Sequence, residues 1–162
     1  MKLAYSDDGP GRAVVLLHGY PLSRAMWAEQ VTDIGAVYRV IAPDLRGHGD
    51  SPAPEGVYTM DEMADDVIDT LDTLHIREPV VLGGLSMGGY VALSLVLRYP
   101  LRVRALMLLD TQAGAERLAR TKRGKPPNRR IRVFMMTSLG QPLRRRAGAW
   151  SRHFGQDYPM MT

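Results

Sequence analysis

The chain contains no cysteine, which excludes disulfides, thiolate catalysis and cysteine-ligated zinc. It has no apolar run near the roughly 18 residues that cross a bilayer, so no association with a membrane is expected. The first residues, Met1-Lys2-Leu3-Ala4-Tyr5-Ser6-Asp7-Asp8, lack the apolar stretch of a secretion signal, and the expectation is a cytoplasmic protein. Acidic residues are scarce at one end only. Residues 111–162 hold 2 Asp and Glu against 12 Lys and Arg, net +10, whereas residues 1–110 hold 15 against 9, net −6. The overall charge of +4 therefore belongs to the tail and does not imply a nucleic-acid partner. At 162 residues and 45% hydrophobic content the chain is one domain's length and has enough apolar side chains for a core.

What is present is organised around Val80-Val81-Leu82-Gly83-Gly84-Leu85-Ser86-Met87-Gly88-Gly89-Tyr90-Val91-Ala92-Leu93. An apolar β-branched run, a glycine-flanked serine and a helical apolar pattern predict strand, sharp turn and helix. Within it Gly84-Leu85-Ser86-Met87-Gly88 is a G-x-S-x-G. A serine on a strained strand-to-helix turn crowds its neighbours, so the residues two before and two after it must lack a Cβ, while its Oγ projects above the sheet. The helix beginning at Met87 aims backbone N–H groups and its positive dipole end at charge developing beside Ser86. The bare pattern arises by chance; the strand before it and the helix after it make it a nucleophile elbow.

Ahead of this stretch, Arg12-Ala13-Val14-Val15-Leu16-Leu17-His18-Gly19 reads as a central strand buried on both faces. Ser23 is placed to cap a short helix through Trp27 and Val31. Val37 to Ala42 is a second strand, and Pro43 to Pro52 has too many breakers to be anything but loop. Thr59 and Glu62 fit a capping box for a helix with Met60, Met63, Ala64, Val67, Ile68, Leu71 and Leu74 on its apolar face. Asp61, Glu62, Asp65, Asp66, Asp69 and Asp72 take the other face, read as solvated rather than as a metal or acid-base cluster. After the elbow, Tyr99-Pro100 ends the helix, and Val103 to Asp110 is another buried strand with an acid at its C-terminal end. Strands alternating with helices imply a parallel α/β sheet with its chemistry at the carboxyl ends of the strands, where His18, Ser86 and Asp110 all lie.

Four motifs in order, His18-Gly19-Tyr20-Pro21, Asp44-Leu45-Arg46-Gly47-His48-Gly49-Asp50-Ser51, Gly84 to Gly89 and Leu108-Leu109-Asp110-Thr111, closely resemble the α/β-hydrolase superfamily. Within it they are most similar to cofactor-free esterases, enol-lactonases and non-haem haloperoxidases. The resemblance runs from about residue 1 to about 115 and implies a parallel-sheet α/β-hydrolase fold, incomplete, without the usual lid and last strands. It implies a serine that attacks an ester or lactone carbonyl, a histidine that takes its proton and an acid that orients the histidine, with no metal or organic cofactor. Ser86 matches the nucleophile, and the backbone N–H groups of Met87 and Tyr20 match the oxyanion hole. A serine rather than an aspartate at the elbow argues against haloalkane dehalogenase and epoxide hydrolase chemistry; perhydrolysis would use the same residues.

The family pattern gives His18 a role in shaping the oxyanion loop, His48 a role in loop packing and Asp44 that of a loop anchor. His75 ends a helix, where a partial positive charge suits the dipole. His153 is the one histidine downstream of Ser86, so that Ser86, Asp110 and His153 stand in the superfamily's order of nucleophile, acid and base. For Asp110 the catalytic acid and a structural strand end both stand as readings.

From about Glu116 the texture changes: arginines and prolines multiply and sustained helical periodicity is lost. The chain is read as a core over residues 1–115 and a basic tail over 116–162, the tail resembling a gene read out of frame or a truncated fold, with a natural divergent tail as the alternative. A rival function is a non-catalytic fragment whose basic tail binds a polyanion or a partner subunit, which steep salt dependence would reveal. Ending a sheet after Val103–Asp110 would leave a bare edge, so a homo-oligomer is expected, with Ile131 to Met136 adding to that edge within the chain or across a dimer.

Overall fold

The computed structural model describes residues 1–111 and 131–136. They form a six-stranded sheet of Tyr5–Asp8 (β1), Ala13–Leu17 (β2), Arg39–Pro43 (β3), Val80–Leu85 (β4), Val103–Leu109 (β5) and Arg132–Met136 (β6), in the order β1-β3-β2-β4-β5-β6. β2 to β6 are parallel. β1 pairs antiparallel with β3, Tyr5 opposite Pro43 and Asp8 opposite Val40. This edge strand is an addition to the parallel sheet read from the sequence. Its four residues, Tyr-Ser-Asp-Asp, are half-buried to exposed, so pairing rather than an apolar pattern holds them extended.

Ser23 caps a 3₁₀ turn over Arg24–Trp27 by accepting from the Ala25 N–H at 3.4 Å, and the chain continues as helix α1, Ala28–Gly35. The strand expected at Val37 begins two residues later, because the Val37 and Tyr38 N–H groups both donate to the Ile34 carbonyl at 3.0 Å and close the helix. Helix α2, Met60–Thr73, starts with the expected capping box: the Thr59 hydroxyl accepts from Glu62 N–H at 3.2 Å, and the Glu62 carboxylate accepts from Thr59 N–H at 3.0 Å. Helix α3 spans Met87–Arg98.

Consecutive parallel strands joined right-handedly place their helices by the direction of travel along the sheet. The steps β3 to β4 and β4 to β5 run one way, and α2 and α3 share a face, where Val67, Leu71, Val91 and Leu95 meet Val15, Leu17, Leu82 and Leu106. The step β2 to β3 runs the other way, and Trp27, Val31 and Ile34 cover the opposite face at Val14, Leu16, Val40 and Ala42.

Two expectations change. The acidic face of α2 is not simply solvated: Asp66 is buried, receiving the Arg46 guanidinium at 2.6 Å and the Met1 amino group at 3.0 Å. Asp61 and Asp65 are tied to α3 through Ser94, Arg98 and Tyr99, and Asp72 to Arg77 and Arg102. The carboxylates are spaced by cations, and among the described residues no group of three or more His, Asp or Glu is arranged to hold a metal. Second, β5 is not an edge. β6 pairs with it in parallel, Ala105 opposite Arg132 and Leu109 opposite Met136, so the apolar run beginning at Ile131 extends the sheet within the chain. No described helix is long and apolar enough to cross a membrane.

Candidate active site

Ser86 stands between β4 and α3 with φ 47° and ψ −110°, a left-handed backbone that a side-chain-bearing residue adopts only when its surroundings enforce it. Several contacts enforce it. Its N–H donates to the Leu109 carbonyl at 2.9 Å, and its carbonyl accepts from Gly89 and Tyr90 N–H at 3.0 and 3.2 Å. The glycines supply clearance: a Cβ on Gly84 would overlap the Gly88 carbonyl, and one on Gly88 would overlap the Leu17 and His18 carbonyls of the neighbouring strand end. Gly88 thus clears β2 rather than the serine itself. The result leaves Ser86 exposed at the head of α3, where the first N–H groups have no intrahelical acceptor; Met87 is the first of them.

The segment after β2 lies against this elbow. Gly88 faces the His18 carbonyl, and Gly19 packs so close to Leu85 that a Cβ there would lie 3.3 Å from its side chain and 3.4 Å from its carbonyl oxygen. Tyr20 follows in a turn closed by Leu22 N–H to the Gly19 carbonyl at 2.9 Å, a bond that does not use the Tyr20 N–H. The residues expected to form an oxyanion hole, Tyr20 and Met87, therefore come from two segments in contact.

His18 is fully buried and its ring is committed. Nε2 accepts from Leu45 N–H at 2.9 Å, which puts the proton on Nδ1, 3.0 Å from the Gly19 carbonyl. Burial pushes its pKa below the ordinary value, aided by nearby His48 and opposed by the Gly19 bond and Asp44. A neutral imidazole with both nitrogens engaged holds two loops together and has no capacity to take a serine proton. His48 is half-buried, with Nδ1 3.0 Å from the Arg46 carbonyl. His75 takes φ 58° just past α2, and Ile76 N–H donates to the Leu71 carbonyl and His75 N–H to that of Asp72. That is a Schellman closure, so its place is set by backbone conformation rather than by the helix dipole.

Asp44 is buried and accepts from Arg24 N–H at 2.6 Å, from Asp50 N–H at 2.9 Å and from the Arg24 guanidinium, which also reaches Asp50 at 2.7 Å. Arg24, absent from the sequence reading, is thus the clamp of the Asp44 to Ser51 loop; its partner is 20 residues away, and no local pattern signals the pairing. A cavity of about 420 Å³ lined by Ser23, Arg24, Asp44 and Asp50 lies over this clamp and includes neither Ser86 nor Tyr20. Asp110 is exposed at the carboxyl end of β5 with φ 44°, one residue beyond the Leu85–Leu109 pair and so level with Ser86. His153 lies outside the described residues.

With fold and elbow in view, comparison with known proteins gives a consistent result. The family described as alpha/beta hydrolase fold matches residues 12–134. An AB hydrolase superfamily protein of Bacillus subtilis is 39% identical over 117 residues, 71% of this chain and 43% of that protein. A thermophilic esterase from Thermogutta terrifontis superposes with a TM-score of 0.68 at 48% identity, over 68% of this chain and 41% of that one. The enol-lactonase from Burkholderia xenovorans LB400 does so with a TM-score of 0.64 at 36% identity, over 67% and 43%. Epoxide hydrolases are also among the matched proteins. The chain belongs to the alpha/beta hydrolase fold family, and spans less than half the length of these relatives.

Proposed function

We propose that this chain carries the nucleophile half of a serine hydrolase acting on carboxylic esters or lactones. The observation that carries the reading is Ser86 itself: exposed, held in a left-handed conformation at the head of α3, and cleared by Gly84 and Gly88. In the proposed reaction the Ser86 Oγ attacks the carbonyl carbon, and the oxyanion that forms is received by the N–H groups of Met87 and Tyr20. Collapse expels the alcohol, or opens the lactone ring, and leaves an acyl group on Ser86; water then releases the acid. His153 is the proposed base, taking the Ser86 hydroxyl proton on attack, giving it to the leaving oxygen on collapse and repeating the exchange with the hydrolytic water, and Asp110 is the acid proposed to orient it. Esters and lactones are favoured over epoxides because the elbow residue is a serine. The matched esterase and enol-lactonase support the same substrate class.

Turnover of a chromogenic short-chain ester tests this. Ser86→Ala is expected to abolish the activity while leaving the melting temperature nearly unchanged, since an exposed hydroxyl contributes about 0.5 kcal/mol or less to stability. Equal rates for Ser86→Ala and parent would remove Ser86 from the reaction. His153→Ala separates a complete triad from an incomplete one: a large loss identifies the base, whereas the oxyanion hole and binding alone sustain about 10³ to 10⁴-fold over water.

A further inference from the structure

The loop after β3 holds the turn after β2 at two points. The first is the Leu45 N–H bond to the His18 ring. The second is the His48 ring, whose centroid lies 5.1 Å from that of His18 and 5.8 Å from that of Tyr20, the latter pair meeting edge to face at 88°. His18 and Tyr20 flank Gly19, so His48 bridges the two sides of the segment that carries the Tyr20 N–H. His48 is itself anchored by the Arg46 carbonyl at 3.0 Å. Its loop is pinned by Asp44 through the Asp50 N–H and by the Ser51 hydroxyl, which donates to the Asp44 carbonyl at 2.7 Å. Tyr20, by contrast, is 72% exposed, and the bond that closes its turn does not use its N–H.

We infer that His48 is a positioning residue for the Tyr20 turn: its ring, fixed by the pinned loop, sets the direction in which the Tyr20 N–H points toward the elbow. The inference rests on the oxyanion role given to Tyr20 above, but its physical content is the ordering of one backbone amide. A hydrogen-bond donor contributes to catalysis only when aimed where the oxyanion forms, and losing one such donor costs about 10² to 10³ in kcat. Loosening its aim costs part of that.

Two measurements on the full chain test it. Backbone ¹⁵N relaxation of the Tyr20 amide reads positioning whether or not the chain turns over ester. In the parent the order parameter is expected near 0.85, falling below about 0.6 in His48→Ala. His48→Asn, which keeps a donor for the Arg46 carbonyl but no ring, is expected to match the alanine variant, and His48→Phe, which keeps the ring, to restore order. An unchanged order parameter in His48→Ala, or equal loss in His48→Phe, overturns the inference. In ester hydrolysis His48→Ala and His48→Asn are expected to lower kcat about tenfold with KM unchanged and with the same melting temperature, and His48→Phe to recover most of the loss; a rise in KM at constant kcat overturns it. Failure of the esterase reading shows separately, as hydrolysis unaffected by Ser86→Ala.

Discussion

Single residues in this chain are constrained by backbone clearance and by committed ring nitrogens. Gly88 is the sharper case of the first. A methyl there meets two carbonyl oxygens of the strand end beside it, and neither can retreat without breaking the β2 to β4 pairing of Leu16 with Gly83 and Leu17 with Gly84. Gly88→Ala is expected to destabilise by about 3 kcal/mol, the upper range for overpacking, and Gly88→Val to prevent folding; chemical denaturation checks both. His18 governs a different axis. Because burial holds its folded pKa below the ordinary 6.5, the unfolded chain protonates first as the pH falls. Stability is therefore expected to decline below about pH 6.5, the contribution being fully lost once the pH passes below the depressed folded value. Denaturation midpoints between pH 7 and 5 should show this slope, and His18→Gln, which cannot titrate, should flatten it.

At the scale of elements, α2 is the clearest case of a helix written in sequence and completed by tertiary contacts. Its capping box and apolar face arise from residues within one or two turns of one another, and both are found where the sequence placed them. Its polar face does not follow from periodicity. Asp66 is 2% exposed because the segment around Arg46 and the start of the chain close over it, and the Asp66 bond raises the Arg46 pKa. Breaking a buried ion pair costs about 3 kcal/mol at the low end of its range, the end that applies here because the Met1 amino group still faces Asp66 when Arg46 is lost. Arg46→Ala is expected to show a loss of that size in denaturant unfolding. Arg46→Met combined with Asp66→Leu, which removes both charges and keeps volume, should regain most of it; a double variant as unstable as Arg46→Ala would mean that the pair's other hydrogen bonds carry the stabilisation.

For the whole molecule the decisive feature is the order of strands. β6 covers β5 on one side, and among the described residues no strand covers β6 on the other. A strand side without a partner presents N–H and C=O groups that recruit further strands, and we propose a dimer or larger assembly with β6 at the contact. Sedimentation should show a species above monomer mass, and Phe134→Asp, which puts a charge on β6, should reduce it. A stable monomer in both would remove β6 as an assembly edge.

Sequence alone determined what depends on near neighbours. The G-x-S-x-G pattern after an apolar run prescribes a sharp strand-to-helix turn because the clash that forbids a Cβ at Gly84, against the Gly88 carbonyl, is local, whereas the clash at Gly88 is with β2 and is tertiary; the alternation of apolar runs with helical patterns prescribes a parallel α/β sheet. Tertiary structure decided whatever depends on a partner far along the chain. Four polar residues at Tyr5–Asp8 became a strand because β3 offers an edge. The apolar run near Ile131, open to pairing within or between chains, was taken by β5. Arg24 found Asp44 across 20 residues, Asp66 was buried by residues outside its helix, and His18 and His48 acquired different ring environments although each stands beside a glycine. Local sterics and hydrogen bonding act within a few residues of sequence. Burial and ion pairing act through space, and only the folded chain says which residues are near.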